Sequence, residues 1–215
     1  LEIPELIERY RVGIDAIDPR AFELPAENAD RVFEPGSGLA SDLGSGLGSW
    51  SCRALMNHLA DAEIVSVVRM RRALAEDGPV LADWDHEAFL ESPLYGPGSR
   101  PAGGAGADRE RGAILAPMGV LAATIYTTRQ WMAATFYQLD AAAWERSAMH
   151  PRRGAMTVRE IAAHMAWHLE HHLAYLNAKV ESMLGPRPAD DGACAHDDPP
   201  PEGGCGTGCG CVGGG

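Results

Sequence analysis

One long helical segment near the end of the sequence constrains the fold more than any other feature. Thr157 and Glu160 stand in the T-x-x-E order of a capping box, directly before a run of apolar residues at helical spacing. The run continues to about Leu184, where Gly185 and Pro186 provide a stop signal. A helix of this length buries its apolar face by packing against other helices, so the segment predicts a helical bundle.

Three further segments carry the apolar spacing of long helices. They are residues 3–17, 51–77 and 109–139. Pro117 lies within the last of these segments and either kinks that helix or marks a later start. A short helical piece is expected at 26–33, and a helical turn is expected in the stretch DWDHEAF. No segment shows a convincing strand pattern. We therefore predict an all-α chain, a four-helix bundle with long connections.

The charge balance limits which partners the chain can have. The net charge is −12, with 18 Lys and Arg against 30 Asp and Glu, whereas a nucleic-acid-binding protein needs a basic face. The longest nearly uncharged run, residues 112–128, is short for a membrane span. The opening residues show no apolar core of signal-peptide length. We therefore expect no nucleic acid, no membrane and a cytoplasmic location.

A change in composition divides the chain into a body and a tail. Residues 1–185 form the expected bundle domain, while residues 186–215 have almost no apolar side chains and are expected to be disordered when free. Cys52 is the one cysteine of the body. The others lie in the tail, at Cys194, Cys205, Cys209 and Cys211. Thiolates on a flexible chain suit zinc or copper(I), but Gly-rich low complexity explains the same pattern, so the role of the tail stays open.

The stretch HMAWHLEHHLAYL, residues 164–176, holds four of the eight histidines. His168 and His172 lie four residues apart, as do His164 and His168, and such a pair on one helix is a two-point metal clamp. A third ligand has to come from another element, and His58, on the apolar side of its own helix, is the candidate. Three neutral imidazoles leave one position open, which is the pattern of catalytic sites. A hydrogen-bonded core histidine at His58 and a solvated face on the later helix are the competing interpretations.

Two stretches, WSCRALMNHLADAE from Trp50 and MTVREIAAHMAWHLEHHLAYL from Met156, resemble the signature segments of the DinB/YfiT-like superfamily. The resemblance covers residues 1–184 and implies an up-down-down-up four-helix bundle with a divalent-metal site. Carried over by position, the implied ligands are His58, His168 and His172. His164 is then a neighbour one turn earlier. The Gly- and Ser-rich stretch before Trp50, the long loop at 93–108 and the Cys-rich tail depart from the family pattern.

The resemblance also implies a chemistry. Some members are similar to low-molecular-weight thiol S-transferases or to a thiol-dependent maleylpyruvate isomerase, so the leading hypothesis is a metal-activated thiolate that attacks a small electrophile. The cofactor is then a divalent ion of zinc, nickel or iron, with a low-molecular-weight thiol as co-substrate. A non-catalytic metal-binding or stress-response protein and a metal-dependent hydrolase are the alternatives. The expected partners are a small thiol or electrophile. For the oligomeric state, a homodimer is one of the alternatives.

Several other polar residues are candidates to contact the histidines or to line the site around them. Asp61, one turn after His58, can orient that imidazole as a hydrogen-bond acceptor. Three arginines are candidates for a basic groove that holds a negatively charged thiol: Arg53, Arg69 and Arg129. His86 and His150 are expected to be surface or loop residues. An ordinary exposed position is the competing interpretation for Asp61 and for each arginine.

Overall fold

The computed structural model describes residues 1–33, 47–96 and 114–187, and within them the chain is mainly helical. The helices and strands, in chain order, are α1 (Ile3–Val12), α2 (Ala26–Ala29), α3 (Cys52–Ala75), α4 (His86–Glu91), α5 (Met118–Phe136), α6 (Ala141–Trp144), β1 (Ser147–His150), β2 (Gly154–Thr157) and α7 (Val158–Leu184). Short 3-10 helices lie at Gly13–Ala16, Pro19–Glu23 and Pro93–Tyr95.

The four long helices α1, α3, α5 and α7 form the predicted four-helix bundle. α3 packs against α5 and α7, and α1 packs against the same two helices, so α1 and α3 occupy opposite corners of the bundle. Because α1 leads diagonally to α3 and α5 leads diagonally to α7, both pairs need long connections. Within the described segments, no helix is both long enough and apolar enough to cross a membrane.

The two helices that carry the candidate histidines begin and end where the sequence signals lie. At the start of α3, Ser51 accepts a hydrogen bond from the backbone N–H of Ala54. Thr157 and Glu160 form the predicted capping box at the start of α7. Gly185, with a φ of 79°, ends α7 in a conformation that favours glycine. The tail that was expected to be disordered, with its four cysteines, lies outside the described residues from position 188 onward.

The first helix is shorter than the segment 3–17 that predicts it. α1 ends at Val12, and the chain then tightens into a 3-10 turn at Gly13. A Cβ atom on Gly13 would lie 3.1 Å from Nη1 of Arg129 and 3.2 Å from Cδ2 of Leu169. The missing side chain therefore lets this turn approach the middle of the bundle.

The third long helix starts later than its apolar stripe suggests. α5 begins at Met118, directly after Pro117, whose φ of −61° and ψ of 136° are extended. The later start is therefore the correct interpretation of Pro117, because proline lacks the N–H that a helix interior needs. The expected helix over 109–139 is too long at both ends, and its residues 109–113 lie outside the described part of the chain. The piece expected at 26–33 is also shorter, since α2 fills only its first half.

A two-stranded antiparallel hairpin, β1 and β2, precedes α7, so the expectation of no strands is wrong. His150 pairs with Gly154 across a three-residue turn, and Gly154 has a φ of 78°. The sequence H-P-R-R-G contains this turn, but strands of four residues are too short for an alternating pattern to be visible. Val80 forms a parallel bridge with Met149, which fixes the segment after α3 against the hairpin.

One buried ion pair connects all four long helices. Arg129 of α5 is fully buried and donates through Nε to Oε1 of Glu63 in α3 at 2.8 Å. The same guanidinium donates to the backbone carbonyls of Tyr10 in α1 and Met165 in α7, each at 2.6 Å. The Tyr10 hydroxyl also donates to Glu63, at 3.0 Å. Arg129 is thus a core residue, and its expected place in a basic groove is wrong.

Removing one partner of this ion pair should destabilise the protein strongly. Arg129→Met leaves the Glu63 carboxylate buried without its counter-charge, so we expect the free energy of unfolding to fall by about 3–5 kcal/mol. The double variant Arg129→Met/Glu63→Met leaves no buried charge and should recover a large part of that loss. Urea denaturation followed by circular dichroism measures both effects.

The control for this experiment is Arg11→Met. Arg11 pairs with Glu8 on α1, where the two side chains are 35% and 50% exposed. Solvent screens such a pair, so its loss should change the free energy of unfolding by less than about 1 kcal/mol. If Arg129→Met is as mild as this control, the buried pair does not hold the bundle together.

Candidate metal centre

Three histidines from two helices converge between α3 and α7. His58 lies on α3, whereas His168 and His172 lie on adjacent turns of α7. Nε2 of His58 is 3.2 Å from Nε2 of His168, and one ring nitrogen from each of the three residues lies within 4.8 Å of the others. These are the residues that the sequence singled out. His164, one turn earlier on α7, stays outside the cluster, with its ring centroid 5.9 Å from that of His168.

The spacing of the ring nitrogens fits a divalent ion. Two imidazole nitrogens on one tetrahedral zinc, at 2.0–2.1 Å from the metal, lie roughly 3.3 Å apart. The 3.2 Å separation between His58 and His168 is close to that distance. The donor set is imidazole alone, which suits zinc, nickel and iron. Three such ligands leave one coordination position for another molecule.

Burial keeps the three rings in the form that binds metal. Burial, and after it the charge of neighbouring histidines, lowers the pKa of His58 to about 3 and that of His168 to about 2. The same causes lower the pKa of His172 to about 4. All three imidazoles are therefore neutral near pH 7, and their lone pairs are available to an ion without the prior loss of a proton.

Aromatic rings rather than carboxylates hold the imidazoles in place. The ring of Trp84 stacks on His58 at 5.6 Å between centroids, and the ring of Trp50 stacks on His172 at 6.1 Å. Nδ1 of His58 and Nδ1 of His168 are buried and have no hydrogen-bond partner in the described part of the chain. The expected hydrogen bond from His58 to Asp61 is therefore wrong. Asp61 instead lies beside Tyr95.

The histidines open onto a cavity of about 400 Å³. Its wall combines the facing sides of α3 and α7 with the segment before α4 and with the hairpin. Besides the three histidines, the lining residues are Trp50, Ala62, Ser66, Arg69, Asp83, Trp84, His86, His150, Arg152, Arg153, Met156, Ile161, His164, Met165 and Trp167. The volume and the mixture of aromatic and polar groups are those of a site for a small molecule.

Two histidines that were expected to be surface or loop residues line this cavity. His86 opens α4 with its ring centroid 6.1 Å from that of His58, and His150 ends β1. The turn sequence after His150 signals a hairpin, but nothing in it shows that the hairpin would fold over α7. His171 is exposed and stacks on Trp167 at 5.0 Å, and it is absent from the cavity wall.

The three arginines proposed for a basic groove have different places in the structure. Arg69 lines the cavity. Arg53 is buried, pairs with Asp30 at 2.7 Å and donates to the carbonyl of Ala116, so its expected place in the groove is wrong. Arg129 lies in the core. A periodic sequence pattern does not distinguish a buried, paired arginine from one that faces a ligand.

The sequence is similar to a family of known proteins over most of its length. The model of the DinB superfamily matches residues 10–176. A protein of Oceanobacillus iheyensis named "Putative metal-dependent hydrolase" is 23% identical over 131 residues, covering 61% of this chain and 65% of that protein. A Bacillus licheniformis protein named in the same way is 27% identical over 137 residues, covering 63% and 68%. The chain thus spans about two thirds of the length of these relatives.

The fold is similar to that of a solved structure, YfiT from Bacillus subtilis. The two structures superpose with a TM-score of 0.63 at 19% identity, over 86% of this chain and 88% of that chain. YfiT is described as "a probable metal-dependent hydrolase with an unusual four-helix bundle topology". At this identity the likeness shows the shared fold.

The assignment of the ligands predicts which histidines control metal content. His168→Ala and His172→Ala should each lower metal occupancy sharply, because two imidazoles hold an ion much more weakly than three. His171→Ala should leave it unchanged, since that ring is exposed and lies outside the cluster. Elemental analysis for zinc, nickel and iron, on protein purified without a histidine tag, measures the occupancy. Equal metal content in all three variants and the wild type would refute the assignment.

The buried histidines should make the metal-free protein sensitive to mild acid. In the fold the pKa values of His58 and His168 lie at about 3 and about 2, below the 6.5 of an ordinary histidine. The unfolded chain therefore binds more protons as the pH falls, so the stabilisation is complete above about pH 6.5 and is lost progressively below it. We expect the free energy of unfolding to drop between pH 7 and pH 5, by up to about 1.4 kcal/mol per pH unit for each buried histidine.

A pair of variants tests this cause. His168→Gln should flatten the pH dependence, because glutamine does not titrate, whereas His171→Gln should leave the slope as it is in the wild type. Urea denaturation at pH 5, 6 and 7 after treatment with a chelator gives the slopes. Identical slopes for the two variants would show that the buried ring is not their origin.

Proposed function

The chain belongs to the DinB superfamily, and we propose that it uses a divalent ion held by His58, His168 and His172 to join a small thiol to an electrophile. The coarser conclusion, a metal-binding DinB-like protein, follows from the family match together with the histidine cluster. The thiol transfer is the further step. It is supported by the kind of groups that surround the cluster.

The observation that carries the proposal is the lack of a free carboxylate around the histidines. Among the described residues that line the cavity, Asp83 is the one carboxylate, and its Oδ2 lies 2.8 Å from Nη2 of Arg152. The hydrogen bond from Arg152 lowers the pKa of Asp83, which makes it a poor proton acceptor. A divalent ion held by these imidazoles would lower the pKa of a bound thiol enough to deprotonate it without a protein base.

The protein's own residues then hold and shield the reactants. The three imidazoles would hold the ion, and Trp50 and Trp84 stack on two of them, where they cover one face of each ring. In the reaction the thiol gives its proton to solvent, its sulfur forms a bond to the electrophilic carbon, and the leaving group departs with the bonding electrons. Burial raises the pKa of Cys52 to about 12, so this cysteine does not supply the thiolate. The thiol comes from a co-substrate or from the tail.

A metal-dependent hydrolase is the second candidate. The relatives from Oceanobacillus and Bacillus carry that name, and YfiT is described in the same terms. With water as the nucleophile, the same open position and the same three imidazoles serve. The two candidates differ in whether turnover requires a thiol.

A conjugation assay separates these functions. Zinc-, nickel- and iron-loaded protein should accelerate the reaction of glutathione or a bacterial low-molecular-weight thiol with a chromogenic electrophile. The rate should vanish after chelation and in His168→Ala, because free thiols with a pKa of about 8.5 are mostly protonated at pH 7. His171→Ala is the matched control and should retain the rate.

Three outcomes tell the candidates apart. Metal-dependent cleavage of nitrophenyl esters without any thiol would make the protein a hydrolase. No metal-dependent turnover of either kind would leave a binding protein. A rate that is lost on deletion of residues 186–215 and restored by an added thiol would assign the thiol to the tail.

A further inference from the structure

The cavity above the histidines is elongated along two helices. On α3 it is lined, in order, by His58, Ala62, Ser66 and Arg69. On α7 it is lined by His172, His168, Met165, His164 and Ile161. Midway, the Ser66 hydroxyl donates to the Met165 sulfur at 2.9 Å. Positions 58 and 69 lie about 16 Å apart along the helix axis, so the histidine end and the Arg69 end are separate parts of one cavity.

The end away from the histidine cluster is cationic. Arg69, Arg152 and Arg153 lie there, and the one carboxylate among the described lining residues, Asp83, is already paired with Arg152. Asp85 and Glu87 also act on Arg152, which leaves Arg69 and Arg153 as the charges without a paired carboxylate. Arg153 forms no ion pair within the described segments. It lies close enough to Arg69 for the two charges to repel each other. In a chain whose net charge is −12, uncompensated positive charges inside a cavity indicate a negatively charged ligand.

Two buried donors in the same wall lack acceptors. Nη2 of Arg69 donates to the carbonyl of Ala82 at 3.2 Å, but Nε of Arg69 is buried and has no partner among the described residues. The indole Nε1 of Trp84 is also buried and has no hydrogen-bond partner among the described residues. Buried donors are normally paired, so two unpaired donors in one cavity wall show that this wall is short of acceptors. A carboxylate or a phosphate supplies acceptors only, and it matches the fork of a guanidinium.

We propose that Arg69 and Arg153 form an anion subsite, so that the molecule that reacts at the histidine end carries a carboxylate or a phosphate. The subsite combines α3 and the hairpin turn, and it therefore exists only in the folded chain. Arg152, held beside it by Asp83, adds to the positive potential. The identity of the reacting molecule rests on the proposed function, whereas the binding of an anion does not.

The position of the subsite gives it a role in orientation. An anionic group bound at Arg69 and Arg153 places the remainder of the molecule along the cavity toward His168. Binding at this distance from the reacting atoms holds the molecule in place before the reaction. Less translational and rotational freedom is then lost in the reaction itself, which is how remote binding groups accelerate a reaction. A neutral molecule of the same size lacks this anchor.

Isothermal titration calorimetry on the full-length, zinc-loaded protein tests the subsite. The probes are succinate and inorganic phosphate, with succinamide as the neutral analogue of succinate. We expect at least one of the two anions to bind and succinamide not to bind. Arg69→Gln and Arg153→Gln should each weaken anion binding by about ten-fold or more, because each removes a charge-assisted hydrogen bond. Asp83→Asn should strengthen it by about three-fold, since it releases Arg152 and removes the carboxylate that lines this end of the cavity.

Arg71→Gln is the matched control. Arg71 lies two positions from Arg69 on α3, but its guanidinium stacks over Trp131 at 4.6 Å, outside the cavity. Its replacement should leave anion binding unchanged. Repeating the titrations after chelation should give similar affinities, because the subsite is separate from the metal. Binding that disappears on chelation but survives Arg69→Gln and Arg153→Gln, or no anion binding at all, would overturn the proposal.

A kinetic comparison keeps this inference apart from the proposed function. With mercaptosuccinate and 2-mercaptoethanol as co-substrates, the acidic thiol should have the lower KM, and Arg69→Gln should remove that preference. If conjugation occurs with equal KM values and neither succinate nor phosphate binds, the anion subsite is wrong and the transferase stands. If succinate binds through the arginines but no thiol reacts, the subsite stands and the transferase is wrong.

Discussion

The fold depends on one charge that is completely removed from water. Arg129 has no exposed surface, and its guanidinium bonds to Glu63 of α3 and to the backbone carbonyls of Tyr10 and Met165. Apolar contacts are not directional, so the apolar stripes of the helices allow a range of rotations and shifts. A buried guanidinium allows far fewer, because each donor left without an acceptor is costly. Four helices are therefore positioned by the requirements of a single side chain.

The geometry of the histidines follows from the same constraint. Met165, which accepts from Arg129, lies within one turn of His168, and Glu63 lies within two turns of His58 on the facing helix. Fixing these two points sets the distance across the α3–α7 interface at which the imidazoles meet. The interior that requires Arg129 to be paired also desolvates the rings and lowers their pKa values. The positions and the protonation states of the three clustered histidines thus share one physical cause.

The sequence predicted the parts of the site that depend on local spacing. The four-residue separation of His168 and His172, the capping box of α7 and the N-cap of α3 are local signals, and they placed the histidines on the correct helices. The far wall of the cavity depends on a bridge between Val80 and Met149, which are distant in sequence and carry no local sign of pairing. For that reason the residues that this wall brings to the cavity were missed.

The two ends of the cavity rest on different parts of the fold and can vary independently. The histidine cluster rests on α3 and α7, whose relative positions are fixed in the core. Apart from Arg69 on α3, the cationic end rests on the hairpin turn and on the segment before α4, which contribute Arg152, Arg153 and Asp83. Side chains on connections can change without a shift in the helices behind them, because few core contacts depend on them. The side chains at the cationic end of the cavity can therefore change while the histidine cluster at the other end is preserved.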